Sequence, residues 1–167
     1  TTNHPGATGD GLLLAEKIGA QLIQMDQIQT HPTVVPNVGE MITEAVRGNG
    51  AVLINKEGKR FYNELETRDK VSAAILKQKD GVAYLFFDSD MQKSLKATNN
   101  YIKQKYCLNG ATLDEVAGKM GVPADTLKAT MDAWKAAKDA NKDAFGRADM
   151  PRDLDKGPFY AILVTPA

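Results

Sequence analysis

Residues 51–65, AVLINKEGKRFYNEL, decide the fold. The run Ala51–Ile54 is apolar and partly β-branched, Lys56-Glu57-Gly58 has turn chemistry, and Arg60, Phe61 and Tyr62 alternate in polarity. Together they predict a β-hairpin. Downstream, TRDKVSAAILKQKDG (67–81) predicts a helix that opens at Thr67 as N-cap, aligns Val71, Ala74 and Ile75 on one face, and ends at Gly81. VAYLFFDSD (82–90) predicts a strand, and MQKSLKATNNYIKQKYC (91–107) a helix weakened by Asn99 and Asn100. TLDEVAGKMG opens with Thr112 and Glu115 in capping-box spacing. In PADTLKATMDAWKAAKDA, Pro123 sits near a first turn and Leu127, Met131 and Trp134 form a stripe. Residues 141–158 read as loop, and FYAILVTPA (159–167) reads as a strand that returns after the helices. Strands, then helices, then a returning strand define an α+β chain, a small mixed or antiparallel sheet with several helices, rather than alternating βαβ units.

Upstream, ATGDGLLLAEKIGAQL predicts a helix closing at Gly19, with Leu13, Leu14, Lys17 and Ile18 at helical spacing behind a Gly-Asp-Gly bend. DQIQTHPTVV is polar and broken by proline, hence strand or extended loop, and MITEAVRGNG predicts a short turn of helix started near Thr43 and stopped by Gly48 and Gly50.

A chain of 167 residues has the size of one domain and can bury a sizeable core. With 21 basic against 21 acidic residues, no overall charge draws it to nucleic acid or an anionic membrane. Runs such as YLFF fall far short of the ~20 apolar residues of a membrane span. TTNHPGATGDG lacks the basic start and apolar middle of a signal peptide. A start on Thr1 and a stop within an apolar run lead us to expect a segment of something longer. Cys107 is the only cysteine, which excludes an internal disulfide and a cysteine-rich zinc site; it reads as a small buried hydrophobe. Histidines at 4 and 31 do not have metal-ligand spacing, so no metal is expected. A single thiol fits any compartment.

No phosphate-cradling loop, dinucleotide fingerprint, nucleophile elbow or Cys/His pair is visible, and GATGDG has the wrong spacing for a cofactor loop. What stands out is a sequence of polar groups from residue 29 to 68. Glu44 and Arg47 are three apart, so one helical turn sets them side by side, a spacing that surface ion pairs also show. His31 before Pro32 fits a hydrogen-bonded loop residue as well as a catalytic one. Arg68 opposes the macrodipole at a helix start, which invites a partner.

In order, HPT (31–33), MITEAVRGNGAVLINKEGKRFYNE (41–64) and TRDKVSAAI (67–75) resemble the substrate-capping region of the fumarate reductase and succinate dehydrogenase flavoprotein family. The opening TTNHPGATGDG and the closing PFYAI are similar to soluble, single-chain fumarate reductases of the flavocytochrome c type. The resemblance implies a capping (clamp) domain. Residues 1–24 would edge the FAD-binding domain, 25–157 would form the cap, and 158–167 would be a strand returning into that absent domain. It implies Arg68 as proton donor to the substrate double bond, Glu44 and Arg47 as the relay that recharges it, and His31 and Thr43 as holders of a substrate carboxylate. Glu44 would also lie against substrate, Gln29 and Met41 would line the pocket, and Asp10 would touch FAD. The implied partners are a dicarboxylate or related unsaturated carboxylate, the FAD-binding domain, and an electron donor that the residues do not identify. The implied activity is FAD-dependent reduction of fumarate, the fragment alone being inactive. Succinate oxidation, aspartate oxidation, reduction of urocanate, acrylate or a cinnamate, and a stand-alone α+β binding domain are the alternatives.

The chemistry is coherent. Arginine holds its proton too tightly to be an ordinary acid. Hydride addition to one alkene carbon, however, leaves carbanion character on its neighbour, a base strong enough to take that proton if a carboxylate route resupplies it. The remaining cationic charge stabilises the developing anion.

Overall fold

Four strands carry the fold in the computed structural model, which describes residues 2–167: β1 (Val52–Ile54), β2 (Ala83–Phe87), β3 (Cys107–Gly110) and β4 (Phe159–Val164). They lie in the order β1-β2-β4-β3, and every pairing is antiparallel. Helices α1 (Asp10–Lys17), α2 (Ala45–Gly48), α3 (Arg68–Leu76), α4 (Ser89–Ser94), α5 (Ala97–Lys103), α6 (Leu113–Met120) and α7 (Ala124–Asp139) complete the α+β arrangement. None of them is long and apolar enough to cross a membrane.

Strand residues alternate between two buried faces. Val52, Ile54, Tyr84, Phe86, Phe159 and Ala161 pack with Val116, Leu127, Met131 and Trp134 of α6 and α7. Leu53, Leu85, Phe87, Tyr160 and Ile162 pack with Ile42, Val46, Val71, Ile75 and Met91 on the opposite face. Helices on both sides explain why AVLI and YLFF are apolar without interruption. Cross-strand stacking of Phe87 on Tyr160, centroids 5.2 Å apart, and of Phe86 on Phe159, 5.9 Å apart, sets the register at the centre.

The Thr112–Glu115 cap forms with its return bond one residue further back: Thr112 Oγ1 accepts from the Glu115 N–H at 3.2 Å, and Glu115 Oε2 accepts from the Ala111 N–H at 2.7 Å. Trp134 is buried at the C-terminal end of the α7 stripe, its indole N–H donating to the Arg152 carbonyl at 2.8 Å. Cys107 is half-buried, and burial pushes its thiol up to about 12.

Four features differ from the sequence reading. The hairpin turn is present, with Gly58 at φ 81° and Asn55 Oδ1 accepting from Glu57 and Lys59 N–H groups, but its return arm shrinks to one bridge, Ile54–Arg60. β1 takes its strand partner from β2, and Arg60 on the short return arm turns inward to Glu64 and Asp143. The helix expected over 91–107 is two, interrupted at Leu95 in extended conformation. Asp88 caps the first, accepting from the Met91 N–H at 2.9 Å, and the Thr98 hydroxyl donates to the Leu95 carbonyl at 2.7 Å in the second. The last residue expected in that helix, Cys107, instead opens β3, a short edge strand. Helix α3 ends at Leu76 rather than Gly81, with a separate 3-10 turn at Lys79–Gly81. The apolar run at 159–164 forms the strand expected there, β4, which is interior to the sheet and bonded to β2 and β3.

Helix α1 forms as expected, led by Gly9 at φ 82°, but buries no residue of its own. Leu12, Leu13, Leu14 and Ile18 are all exposed, Ile18 to 86%.

Candidate functional site

Beyond β4 the chain pairs with residues 31–34. The His31 N–H donates to the Ala167 carbonyl at 2.8 Å, Ala167 N–H returns to His31 at 3.0 Å, and Val34 and Thr165 exchange bonds at 3.0 and 2.9 Å. A Val34–Met41 bridge then folds the chain back, and the Ile42 N–H reaches the Thr33 carbonyl at 2.9 Å. This ribbon places His31, Met41 and Thr43 beside the start of α2. The Thr30 hydroxyl donates to Ser72 Oγ at 3.3 Å, pinning the preceding residue, Gln29, against the first turn of α3.

The structure brings Glu44, Arg47, Arg68 and Gln29 together. Arg68 forks onto Glu44, Nε to Oε1 at 2.5 Å and Nη2 to Oε2 at 2.8 Å, and its Nη1 donates to Gln29 Oε1. Arg47 Nη2 lies 3.6 Å from Glu44 Oε1, an ion pair longer than a hydrogen bond. Glu44 is therefore flanked by one guanidinium in solvent and one in the protein: the Arg68 side chain is 39% exposed, the Arg47 side chain 5%. Beyond Arg68 an open cleft of about 500 Å³ is lined by Ile28, Gln29, Thr30, Thr67 and Asp69.

These surroundings grade the proton affinities. Hydrogen bonds from Arg68 hold the Glu44 carboxyl below its ordinary value, so it is a carboxylate at neutral pH. The same bonds raise Arg68. Burial, with the charges of Arg68 and Arg147 adding to it, lowers Arg47. Arg47 thus holds its proton less tightly than Arg68, with Glu44 between them. Arg47 Nε is the one buried side-chain polar atom among the described residues with no hydrogen-bond partner. An unmet buried donor costs about 1–3 kcal/mol, so this guanidinium is held where its own bonding is not optimal.

His31 is buried, 7% exposed, and its Nδ1 accepts from the Thr33 N–H at 3.3 Å. That bond assigns the hydrogen of the neutral ring to Nε2, which is left to donate. Burial, then the charge of Arg47, lowers its pKa from 6.5, so it is neutral at pH 7. The Thr43 N–H donates to the Tyr101 hydroxyl at 3.1 Å, and Thr43 Oγ1 accepts from the Ala45 N–H at 3.4 Å. Met41 is 48% exposed at the rim. Asp10 is not part of this cluster: it opens α1, exposed, with no hydrogen bond or ion pair to any of these residues.

Three contributors were not foreseen: Tyr101, which anchors Thr43, and the buried pair Glu64 and Arg147, which lies beneath Arg47. Arg47 Nη1 donates to the Glu64 carbonyl at 2.6 Å. The Glu64 carboxylate, fully buried, accepts from Arg60 through two bonds of 2.8 Å and from Arg147 at 3.0 Å. Arg60 in turn pairs with Asp143 at 2.6 Å.

A flavoprotein class follows from comparison with known proteins: the chain belongs to the FAD binding domain family, whose profile matches residues 1–167. Within that class the similarity runs to fumarate reductases. The chain is 46% identical over 167 residues to "Fumarate reductase (cytochrome)" of Shewanella frigidimarina, covering 99% of this chain and 29% of the relative. It is 42% identical over 168 residues to "NADH:fumarate oxidoreductase" of Klebsiella pneumoniae (strain 342), covering 99% of this chain and 18% of the relative. The open conformation of a flavocytochrome c3 fumarate reductase superposes with a TM-score of 0.85 at 41% identity, covering all of this chain and 30% of that one. The chain therefore spans less than a third of the length of these relatives, and FAD is the cofactor the family membership supports.

Proposed function

We propose that this chain is the substrate-capping part of an FAD-dependent fumarate reductase, holding an unsaturated dicarboxylate and supplying the proton that completes its reduction. The observation that carries the reading is the contiguous line Arg68–Glu44–Arg47, in which an exposed guanidinium is backed by a carboxylate and that carboxylate by a buried guanidinium. Fumarate reductase relatives support the substrate class.

The chain's own residues fit an edge contact with FAD, not an enclosure. No phosphate-cradling motif is present, but open space surrounds Gly9 and Gly11 at the start of α1, where a Cβ would meet nothing within 4 Å. Asp10 and this helix start would border the cofactor, and exposed Leu12, Leu13, Leu14 and Ile18 fit burial against the cofactor-bearing body. A stand-alone binding domain gives those side chains no purpose. In this reading residues 1–24 edge the flavin body, and the cap runs from about residue 25 through β4, since β4 is bonded on both sides. When bound, FAD supplies the hydride to one alkene carbon.

The remaining steps belong to this chain. His31 Nε2–H and the Thr43 hydroxyl donate to a substrate carboxylate, with Gln29 and Met41 at the rim, and fix the alkene near Arg68. Arg68 stabilises negative charge on the second carbon and gives it a proton. Arg47, its affinity lowered by burial, gives a proton to the Glu44 carboxylate, which passes it to the neutral Arg68 guanidine, and solvent then reprotonates Arg47. Closure of the cap excludes water from these charges. The two relatives are named for different donors, cytochrome and NADH, so the electron route is set by domains outside this region.

The test is turnover by the full-length flavoprotein with a reduced viologen as donor. Fumarate should be reduced, and His31→Gln should raise KM at least tenfold. A protein that reduces urocanate or acrylate and leaves fumarate untouched would overturn the substrate assignment.

A further inference from the structure

We propose that Arg147 is a positioning residue for the proton relay, fixing the guanidinium of Arg47 beneath Glu44 while touching neither Glu44 nor Arg68. The inference rests on the relay reading above and extends it to a residue about eighty positions away in sequence from the proton donor.

Arg147 is 1% exposed, in a segment without regular structure. Its guanidinium makes four donor contacts, three of them to other chain segments. Nη2 donates to the Arg47 carbonyl at 2.9 Å, Nη1 to the Ala51 carbonyl at 2.9 Å and to Glu64 Oε2 at 3.0 Å, and Nε to the Asp149 carbonyl at 2.8 Å. The plane stacks 5.0 Å from the Trp134 ring centre. The first two acceptors lie on either side of Gly48-Asn49-Gly50, a bend in which Gly50 has φ 111°. Arg147 braces this glycine-bordered bend on both sides, in addition to the bend's own bonds from Gly50 N–H to the Arg47 carbonyl and from Ala51 N–H to the Val46 carbonyl.

Arg47 is thereby fixed at both ends. Its own carbonyl is held directly by Arg147. The tip of its side chain is held by the carbonyl of Glu64, the residue whose carboxylate Arg147 grips. The partnerless Nε of Arg47 agrees with this: the guanidinium sits where the clamp sets it, not where its own hydrogen bonding would be complete. Charge points the same way. Three buried guanidiniums, of Arg47, Arg60 and Arg147, face two buried carboxylates, of Glu64 and Asp143. Arg60 and Arg147 are satisfied by these two, so the uncompensated positive charge is that of Arg47, and the carboxylate left for it is Glu44.

The test uses the full-length flavoenzyme. Arg147→Lys keeps the charge but cannot span four acceptors. It should lower kcat for fumarate about 10- to 100-fold, as expected when a catalytic group shifts by about an ångström, with KM and FAD content unchanged. In an Arg47→Lys background the same substitution should cause no further loss, because its route of action is gone. Arg152→Lys is the control: Arg152 donates to the Asn49 carbonyl and Ser94 Oγ but holds neither Arg47 nor Glu64, and kcat should persist. Wild-type kcat in Arg147→Lys, or an undiminished loss in the Arg47→Lys background, overturns the proposal. Should Arg147→Lys fail to fold, Glu64→Asp decides: it withdraws the carboxylate by one methylene while keeping the carbonyl that takes Arg47. A kcat-specific loss supports the clamp, and wild-type kcat refutes it. If Arg47→Lys itself keeps full turnover, the relay reading has failed; if only Arg147→Lys does, the positioning role alone has failed.

Discussion

Glu44→Gln isolates the relay from the charges around it. In the structure each Glu44 oxygen accepts one Arg68 N–H, at 2.5 and 2.8 Å. An amide offers one oxygen and turns an NH₂ group toward the second N–H, so one of the two charge-assisted bonds is lost to donor–donor opposition. The amide also cannot take up and release a proton at neutral pH. Both side chains are substantially exposed, and exposed ion pairs contribute little to folding, so the unfolding midpoint should stay in place. Turnover should not: a positioned proton-transfer group supplies about 10²–10⁴-fold in rate. The assay is single-turnover reoxidation of the pre-reduced full-length flavoprotein by fumarate, followed by flavin absorbance. The variant should reoxidise at least about 100-fold more slowly with its fumarate dependence unmoved. Because Arg68 depresses the Glu44 carboxyl below 4.5, the wild-type rate loses this group only in acid below that value, and the variant lacks that acid limb. An unchanged rate, or a loss confined to KM, would refute the relay and leave Glu44 a binding residue.

Two other outcomes follow from the same geometry. His31 is held neutral by burial, so its folded pKa lies below 6.5; the unfolded chain binds the extra proton first, and stability falls as pH drops below 6.5 toward the folded value. Thermal unfolding of His31→Gln against pH should be flatter over that window than wild type, and identical slopes would contradict the assignment. In Gly110→Ala the new Cβ would stand 2.4 Å from the Val116 nitrogen and 2.8 Å from Glu115 Cβ, forcing α6 off β3. Overpacking of this kind costs about 1–3 kcal/mol, about 2–12 °C in unfolding midpoint for a chain of this size, measurable by calorimetry; an unchanged midpoint would mean that α6 is free to shift.

What the sequence revealed depended on how far apart the interacting residues lie. The Thr112–Glu115 cap and the α7 stripe are written within one or two turns, and both formed. The return arm of the hairpin failed because Arg60, polar in an alternating run, has stronger partners in Glu64 and Asp143 than a strand edge offers. β3 went unread because Cys107-Leu108-Asn109-Gly110 has no alternation of its own, and its pairing with β4 crosses about fifty residues. The line Glu44–Arg47–Arg68 was visible through its resemblance to known capping regions, the first two residues also through i, i+3 spacing. Arg147 was not visible at all. It lies in a charged, loop-like tail, and its partners at 47, 51 and 64 are brought to it only by tertiary folding. β4 was legible as a strand from its apolar run, whereas its neighbours β2 and β3 are brought to it from about eighty and fifty residues away.

The most direct measurement is fumarate turnover by full-length Arg68→Lys flavoprotein. Lysine keeps the positive charge but loses the two-pronged contact with Glu44 and the bond to Gln29. If Arg68 is the proton donor, kcat should fall by about 10²–10⁴-fold while flavin content and spectrum match the wild type. Turnover within a fewfold of wild type would contradict it.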